Sequence, residues 1–341
     1  MGKPRVSIIT PSYNQAAYLE QTLQSVLNQG YSNLEYIVID GGSTDGSQEI
    51  IRRYEKYLTY WVSERDRGQA DGINKGFRRA TGDIVAWINS DDYYLSGALV
   101  SAAHALCENQ QWGMVFGDVL SVDGSGQPIN VMHYDHWGLE DLMAFNIIGQ
   151  PAVFMRRSVL EQAGGLDLDY HFLLDHHLWL RMAQVAPIGY MPQIWAAGRF
   201  HPAAKNKANA AQFGREAYRL VEWMQLQPGL QTPFSQNRRK ILGGARWIDA
   251  YYLSEGELYR PALKAYLKSF LRTPVRVLRD WRRLAFTVMA LAAPQQAQRL
   301  YDRLRYRRKP LSYDVPRFQP GMPGAQEKVN SQPLKDEDCS A

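Results

Sequence analysis

Cysteine is nearly absent from this sequence: two occur in 341 residues, Cys107 and Cys339. They are too few for a disulfide framework, neither sits in a Cys-rich metal motif, and such usage fits a reducing compartment. No run of roughly 18 apolar residues occurs, so no membrane-spanning helix is expected. The chain opens Met1-Gly2-Lys3-Pro4-Arg5 and runs straight into a strand-like segment. It lacks the apolar stretch and small-residue cleavage site of a signal peptide, so a cytoplasmic location is expected. No sustained heptad pattern occurs, and the oligomeric state is not written in the sequence. What is present is ordinary for a globular protein, 45% hydrophobic and 21% charged residues, which argues against a disordered chain and an integral membrane protein. The length exceeds the usual span of one core, so a large domain with a smaller appendage is expected. A net charge of +5 leaves room for an anionic partner.

Short β-rich apolar runs over 6–10 and 34–40 are closed by Pro11 and by Gly41-Gly42, and read as buried parallel strands. Between them Leu19, Leu23, Val26 and Leu27 recur at helical spacing, which gives the order of a βαβ unit. The alternation continues with a helix over 47–57, a strand over 60–63, a loop and helix over 68–80 and a buried strand over 84–88. A helix over 99–106, strands over 114–118, 128–133 and 152–155, and helices over 158–163 and 175–184 follow. The pattern predicts a doubly wound α/β domain over 1–209. Beyond it, helical patterns broken by Pro and without a convincing strand predict a helical appendage over 210–310. The Pro-rich, polar segment 311–341 is expected to be a disordered tail.

Three constellations carry chemistry. Thr10-Pro11-Ser12-Tyr13-Asn14 follows the first strand, and Asp40-Gly41-Gly42-Ser43-Thr44-Asp45-Gly46-Ser47 follows the second. In an open parallel sheet ligands bind outside such carboxyl ends, although the glycine-rich stretch reads equally well as a tight turn. Asn89-Ser90-Asp91-Asp92 follows the strand over 84–88. Two adjacent carboxylates suit a hard cation such as Mg²⁺ or Mn²⁺, or else form an exposed loop that caps the helix near Ser96. The third is Asp175-His176-His177-Leu178-Trp179-Leu180-Arg181. Asp175 near a helix N-terminus is held ionised by the dipole, which suits a base, although a plain helix-start acid is the commoner meaning of a lone Asp there.

Together these pieces resemble the family 2 glycosyltransferases of the GT-A fold, over roughly residues 4–209. Five segments occur in family order: TPSYN from Thr10, the Asp40 turn, GQADGINKGFRRATGDIVAWINSDD from Gly68, GQPAVFMRRSVLEQAGGLD from Gly149, and DHHLWLR from Asp175. The resemblance implies a GT-A nucleotide-diphospho-sugar transferase fold with a mostly parallel central sheet, plus the helical appendage. It implies that Thr10, Pro11, Ser12, Tyr13, Asn14, Asp40, Asp66, Gln69 and Asp91 hold the nucleotide. Asp91, Asp92 and His201 are then the candidate ligands of Mn²⁺ or Mg²⁺, with the choice between the two aspartates open. Arg199 and Lys205, in what looks like the family's closing loop, approach the diphosphate. Two departures stand out: Asn89 where many relatives carry Asp, and Leu174 where many carry Glu.

The implied reaction is an inverting transfer from a nucleotide diphosphate donor, UDP-linked as the family favourite, to a hydroxyl of a glycan or lipid-linked acceptor. Asp175 is the expected general base. A nucleotide-sugar-binding subunit without turnover, working in polysaccharide assembly, is the alternative. Four histidines, His171, His176, His177 and His201, cluster in sequence, but without a His-Glu-x-x-His or Cys-rich spacing. The segment 276–309 sets Arg276, Arg279, Arg282 and Arg283 against Val277, Leu278, Trp281, Leu284, Val288 and Leu291. It reads as a helix lying on an anionic membrane surface, with a plain packed helix as the competing reading. Nucleic acid is not expected as a partner, because the aromatics form no stacking platform.

Overall fold

The computed structural model of the protein describes residues 3–201 and 209–306, the last five of these through their backbone alone. Lys205 and the tail expected over 311–341 lie outside the described residues. Strand β1 (Val6–Ser12), helix α1 (Ala16–Leu27) and strand β2 (Leu34–Asp40) form the opening βαβ unit. β1 and β2 pair in parallel from Val6 with Leu34 to Ser12 with Asp40, so both following loops leave the same edge. Leu19, Leu23 and Val26 of α1 are fully buried, as spacings of four and three residues on one helix face require.

Helix α2 (Ser47–Tyr54), strand β3 (Tyr60–Ser63), helix α3 (Gln69–Arg79) and strand β4 (Ile84–Trp87) continue the winding. β3 adds to β2 and β4 to β1, both in parallel. The winding therefore reverses between β1 and β4, where a crevice opens at the carboxyl ends. Successive β1 residues face opposite sides: Ile8 packs with Leu19, Leu23 and Val38, and Ile9 with Ile73, Val85 and Trp87. Helix α3 reaches β1 closely because residue 76 is glycine; a Cβ there would lie 2.4 Å from Ile9 Cγ2.

The second half adds β5 (Tyr93–Tyr94), α4 (Ala98–Glu108), β6 (Met114–Asp123), β7 (Pro128–Met132), α5 (Leu139–Met143), β8 (Val153–Arg156), α6 (Arg157–Ala163), α7 (Leu174–Val185) and β9 (Ile188–Phe200). The strand order is β3-β2-β1-β4-β8-β6-β9-β5, with β7 beside β6. β8 runs antiparallel to both neighbours and β6 parallel to β9, so the sheet is mixed, with a parallel first half. Strand β9 corrects the sequence reading, which placed no strand after 155. Pro192 breaks its pattern. The pairing jumps from Gly117 with Met191 to Asp118 with Ile194, leaving Pro192 and Gln193 exposed in a bulge where proline's missing N–H is tolerated. Arg199 and Phe200, expected in a closing loop, end this strand.

Helices α8 (Ala210–Leu226), α9 (Gln231–Glu255), α10 (Tyr259–Phe270), α11 (Pro274–Arg279), α12 (Trp281–Ala292) and α13 (Pro294–Tyr306) form the appendage. Its first two helices share a core with the α/β part: Phe213, Leu220, Met224 and Ile241 cluster with Trp87, Phe116 and Trp179. Arg276, Arg279, Arg282 and Arg283 do not share one outward face. Arg276 donates to the carbonyls of Ala144 and Phe145, and Arg283 pairs with Glu255. Arg279 and Arg282 remain exposed. Among the described residues, no helix is long and apolar enough to cross a membrane.

Candidate active site

The loops after β1 and β2 are stitched into one unit. Asp40 is fully buried; its Oδ2 accepts from the Gly42 amide (3.1 Å), the Ser43 amide (2.9 Å) and the Ser63 hydroxyl (2.6 Å). Its Oδ1 accepts from the Ser43 hydroxyl at 2.5 Å. The carboxylate thus shapes the glycine turn and fastens it to β3. Asn14 takes a left-handed φ of 52°, which asparagine tolerates. Its amide donates to Ser43 Oγ (2.8 Å) and its Oδ1 accepts from the Thr44 amide (2.9 Å).

Across this unit, Asp66 lies against Gly41, where a Cβ would come 2.8 Å from Asp66 Oδ2 and 3.3 Å from the Tyr13 ring. A Cβ at Gly72 would come 3.1 Å from the same oxygen. Three segments therefore meet at Asp66, and glycine is what lets them. Tyr13 is 62% exposed at the mouth. Of the residues expected to hold the nucleotide, Tyr13 and Asn14 are exposed, and Asp66, Gln69 and Asp91 are half-buried. Pro11 and Ser12 are buried, and Thr10 is sealed beneath the loop with its hydroxyl 2.9 Å from that of Tyr36.

The two carboxylates after β4 point apart. Asp92 is buried; its Oδ1 accepts the backbone N–H of Arg199 at 2.8 Å, and its Oδ2 lies 3.4 Å from the Asn89 amide nitrogen. Burial first, and then the Asp91 charge, hold Asp92 well above the ordinary carboxylate range. Asp91 is more open, and its Oδ2 stands 3.1 Å from Nε2 of His201. Tyr18 covers the His201 ring at a centroid distance of 5.0 Å. Asn89 also joins Gln69 (2.7 Å) to Gln150 (3.1 Å) across the floor.

Arg199 is a buried clasp. Its guanidinium donates to the Asp91 carbonyl (2.9 Å), the Asp123 and Gly124 carbonyls (3.3 and 3.2 Å) and Gln21 Oε1 (2.6 Å), and it lies over the Tyr18 ring. Protein acceptors fill the fork that the sequence reading aimed at a diphosphate.

Asp175 stands in the first turn of α7, and burial pushes its carboxyl up to about 6. The nearby Glu216 charge adds to that rise. The next two residues belong to the core: burial lowers His176 to about 4 and His177 to about 3, and His176 Nε2 meets the Leu142 carbonyl at 3.0 Å. Sequence reasoning missed Glu216, whose carboxylate accepts three amides just before α7, of His171 (2.7 Å), Phe172 (2.8 Å) and Leu173 (2.7 Å). One signal was available: Glu216 interrupts the apolar face of Phe213, Ala217, Leu220 and Met224.

A parallel half-sheet with a crevice at its switch point, ending in an acidic pair, is the scaffold of a nucleotide-sugar transferase of the GT-A type. The residue pattern of glycosyl transferase family 2 matches residues 7–159. TuaG of Bacillus subtilis (strain 168), named for teichuronic acid biosynthesis, is 30% identical over 230 residues, covering 64% of this chain and 89% of TuaG. The chain belongs to glycosyl transferase family 2. Its fold is similar to S. aureus TarS 1-349 in complex with UDP-GlcNAc, with a TM-score of 0.53, 16% identity and coverage of 82% of this chain and 92% of that one. It spans 50% of a longer TarS chain. The mannosyltransferase PcManGT from Pyrobaculum calidifontis, in complex with GDP-Man and Mn²⁺, matches with a TM-score of 0.53, 21% identity and coverage of 89% and 85%.

The clasp yields a test. Arg199→Lys leaves carbonyl acceptors without the fork that serves them, because an ammonium cannot reproduce the planar geometry. We expect the melting temperature to fall, by an amount equivalent to about 2 kcal/mol, with nucleoside diphosphate affinity of the folded protein kept. A tenfold loss of affinity at unchanged stability would instead put the guanidinium on the diphosphate.

Proposed function

We propose that the protein is a metal-dependent inverting hexosyltransferase. It moves a sugar from a nucleotide diphosphate donor, UDP-linked by first choice, to a hydroxyl of a glycan or lipid-linked acceptor in cell-envelope polysaccharide synthesis. The observation that carries this reading is Asp175, a carboxyl at a helix start that burial raises to about 6, a value suited to taking a proton near neutral pH. Support for the donor class comes from the crevice at the carboxyl ends of β1, β2 and β4, and from the nucleotide sugars bound by TarS and PcManGT. The TuaG name supports the polysaccharide setting.

Asp91 and His201 would hold Mn²⁺ or Mg²⁺: the carboxylate oxygen suits either hard ion, and the imidazole beside it favours Mn²⁺, the transition metal of the two. Among the described residues no group of three or more His, Cys, Asp or Glu side chains could hold an ion unaided. Asp92, turned to the Arg199 backbone, supports its neighbour. When bound, the ion supplies charge neutralisation to the departing diphosphate. Tyr13 and Asp66 hold the nucleotide at the mouth. Asp175 takes the proton of the acceptor hydroxyl while that oxygen bonds to the anomeric carbon. The bond to the diphosphate oxygen breaks with its electron pair, and the configuration at that carbon inverts.

Melting temperature measured against UDP, GDP, dTDP and CDP, with and without Mn²⁺, tests the donor site, because a ligand bound only by the native state raises it. A rise with one nucleotide that needs Mn²⁺ is expected, absent in Asp91→Ala. No rise in folded protein would sink the donor assignment.

The base assignment makes a separate expectation. kcat/KM rises with pH through about 6, since Asp175 must be ionised to accept a proton, and falls about tenfold per unit below that. Asp175→Asn is expected to bind nucleotide normally and lose turnover, and the first-formed product to show inverted configuration by NMR. Equal turnover in the variant would favour another base.

We place the enzyme at the inner face of the membrane, docked by its appendage. Leu267, Leu271, Val275, Leu278 and Trp281 are exposed together with Lys268, Arg279 and Arg282. Arg272 stands among Arg238, Arg239 and Arg246, whose charges, after burial, lower it. Apolar side chains among exposed cations suit anionic headgroups. Vesicles containing phosphatidylglycerol should sediment the protein and pure phosphatidylcholine vesicles should not, with binding lost in Leu271→Asp/Trp281→Asp. Equal binding by the variant would move the contact elsewhere.

A further inference from the structure

Helix α7 carries Asp175 but does not secure its own beginning. The first N–H groups of a helix, and those of the turn before it, have no partners within it. Here His171, Phe172 and Leu173 aim three successive amides at one side chain, Glu216 of α8, at 2.7, 2.8 and 2.7 Å. Oε1 accepts the first and Oε2 the other two. Leu173 in turn gives its carbonyl to the His177 amide, closing the first turn around Asp175. Glu216 is 8% exposed and sits among Phe213, Ala217 and Leu220, so its chain is fixed by packing. No cation pairs with it among the described residues; the amides themselves carry the compensation, as charge-assisted bonds to a buried carboxylate.

We propose that Glu216 is the positioning residue for Asp175, and that the helical appendage is thereby part of the catalytic apparatus. The proposal rests on Asp175 as the base. Glu216 does not touch the acceptor. It fixes the backbone from which Asp175 projects, and a glutamine there would set an NH₂ group against at least one of the three amides. The family pattern ends at residue 159, before both residues, so the device lies outside the segment that defines the family.

The experiment uses the full chain. Among the described residues, charged and titratable groups that act electrostatically with Asp175 include Glu216 of α8, Tyr134 between β7 and α5, and Tyr252 of α9. In Glu216→Gln, amide exchange over 171–175 should quicken at least tenfold. The ¹³C titration of the Asp175 carboxyl should move down from its wild-type midpoint, because a neighbouring negative charge is gone. Hydrolysis of the donor whose nucleotide the melting series selects should lose at least tenfold in kcat, with donor KM and the Mn²⁺-dependent nucleotide shift kept. A merely structural glutamate would lower the melting temperature while the folded variant kept its wild-type kcat, since loss of the charge moves the Asp175 titration under either reading. Should Glu216→Gln not fold, Glu216→Asp keeps the charge and shortens the reach, and is expected to lower kcat while the titration stays nearer its wild-type position. Wild-type kcat in folded Glu216→Gln, with Asp175→Asn inactive, would overturn this proposal alone. Full turnover in Asp175→Asn would overturn the base assignment beneath it.

Discussion

The constraint on which the rest of the site depends is the need to satisfy a buried carboxylate and a buried guanidinium where the two halves of the sheet meet. β4 ends the parallel half, and its loop enters β5, which pairs with Ala196 and Ala197 of β9. Asp92 receives the Arg199 amide at that junction, and the Arg199 side chain ties the Asp91 carbonyl to the β6–β7 turn and to α1. Side chains this deep must find partners or the junction opens. With Asp92 held inward, Asp91 is left outward beside His201. Two adjacent carboxylates of identical chemistry thus acquire different environments from their surroundings alone.

The same device recurs at other buried carboxylates of this protein. Asp40 gathers two amides and two hydroxyls and so sets the glycine turn. Glu35 takes the Ser7 hydroxyl, the Thr81 amide and hydroxyl, and an ion pair with Arg5, which lower its pKa against the burial that raises it. Glu216 gathers three amides. Asp175 is the contrast: its carboxylate accepts its neighbour His176's amide at 2.7 Å, and burial outweighs that help. A carboxylate with several donors is fixed in place, which suits a scaffold. One with few donors and a raised pKa is available to take a proton.

The α/β alternation was legible because its strands are short apolar runs and its helices show clear faces, as with Leu19, Leu23 and Val26. Strand β9 was not, because Pro192 and Gln193 interrupt a pattern whose repair, a bulge opposite Gly117, exists only once β6 is beside it. The loops that carry the candidate site were legible from their place after strands. The division of labour within them was not, since which of Asp91 and Asp92 faces outward is decided by the Arg199 backbone, 107 residues further along the chain. Arg276 and Arg283 looked like cationic headgroup contacts in the sequence. Their partners, the carbonyls of Ala144 and Phe145 and the Glu255 side chain, lie on other elements.

That long reach bears on what the catalytic unit is. A segment ending near residue 159 contains the crevice and the acidic pair but neither β9, which delivers Arg199 and His201, nor α7, which carries Asp175. Helices α8 and α9 fill the same core as Trp87 and Trp179, so the face of the sheet under the site is completed by the appendage. Removing those helices would expose the Leu220 and Met224 contacts and leave three amides before α7 without an acceptor. The helices after β9 are therefore continuous with the α/β core in packing and in hydrogen bonding, and a residue beyond the family pattern supplies the acceptor for the amides that lead into the helix carrying Asp175.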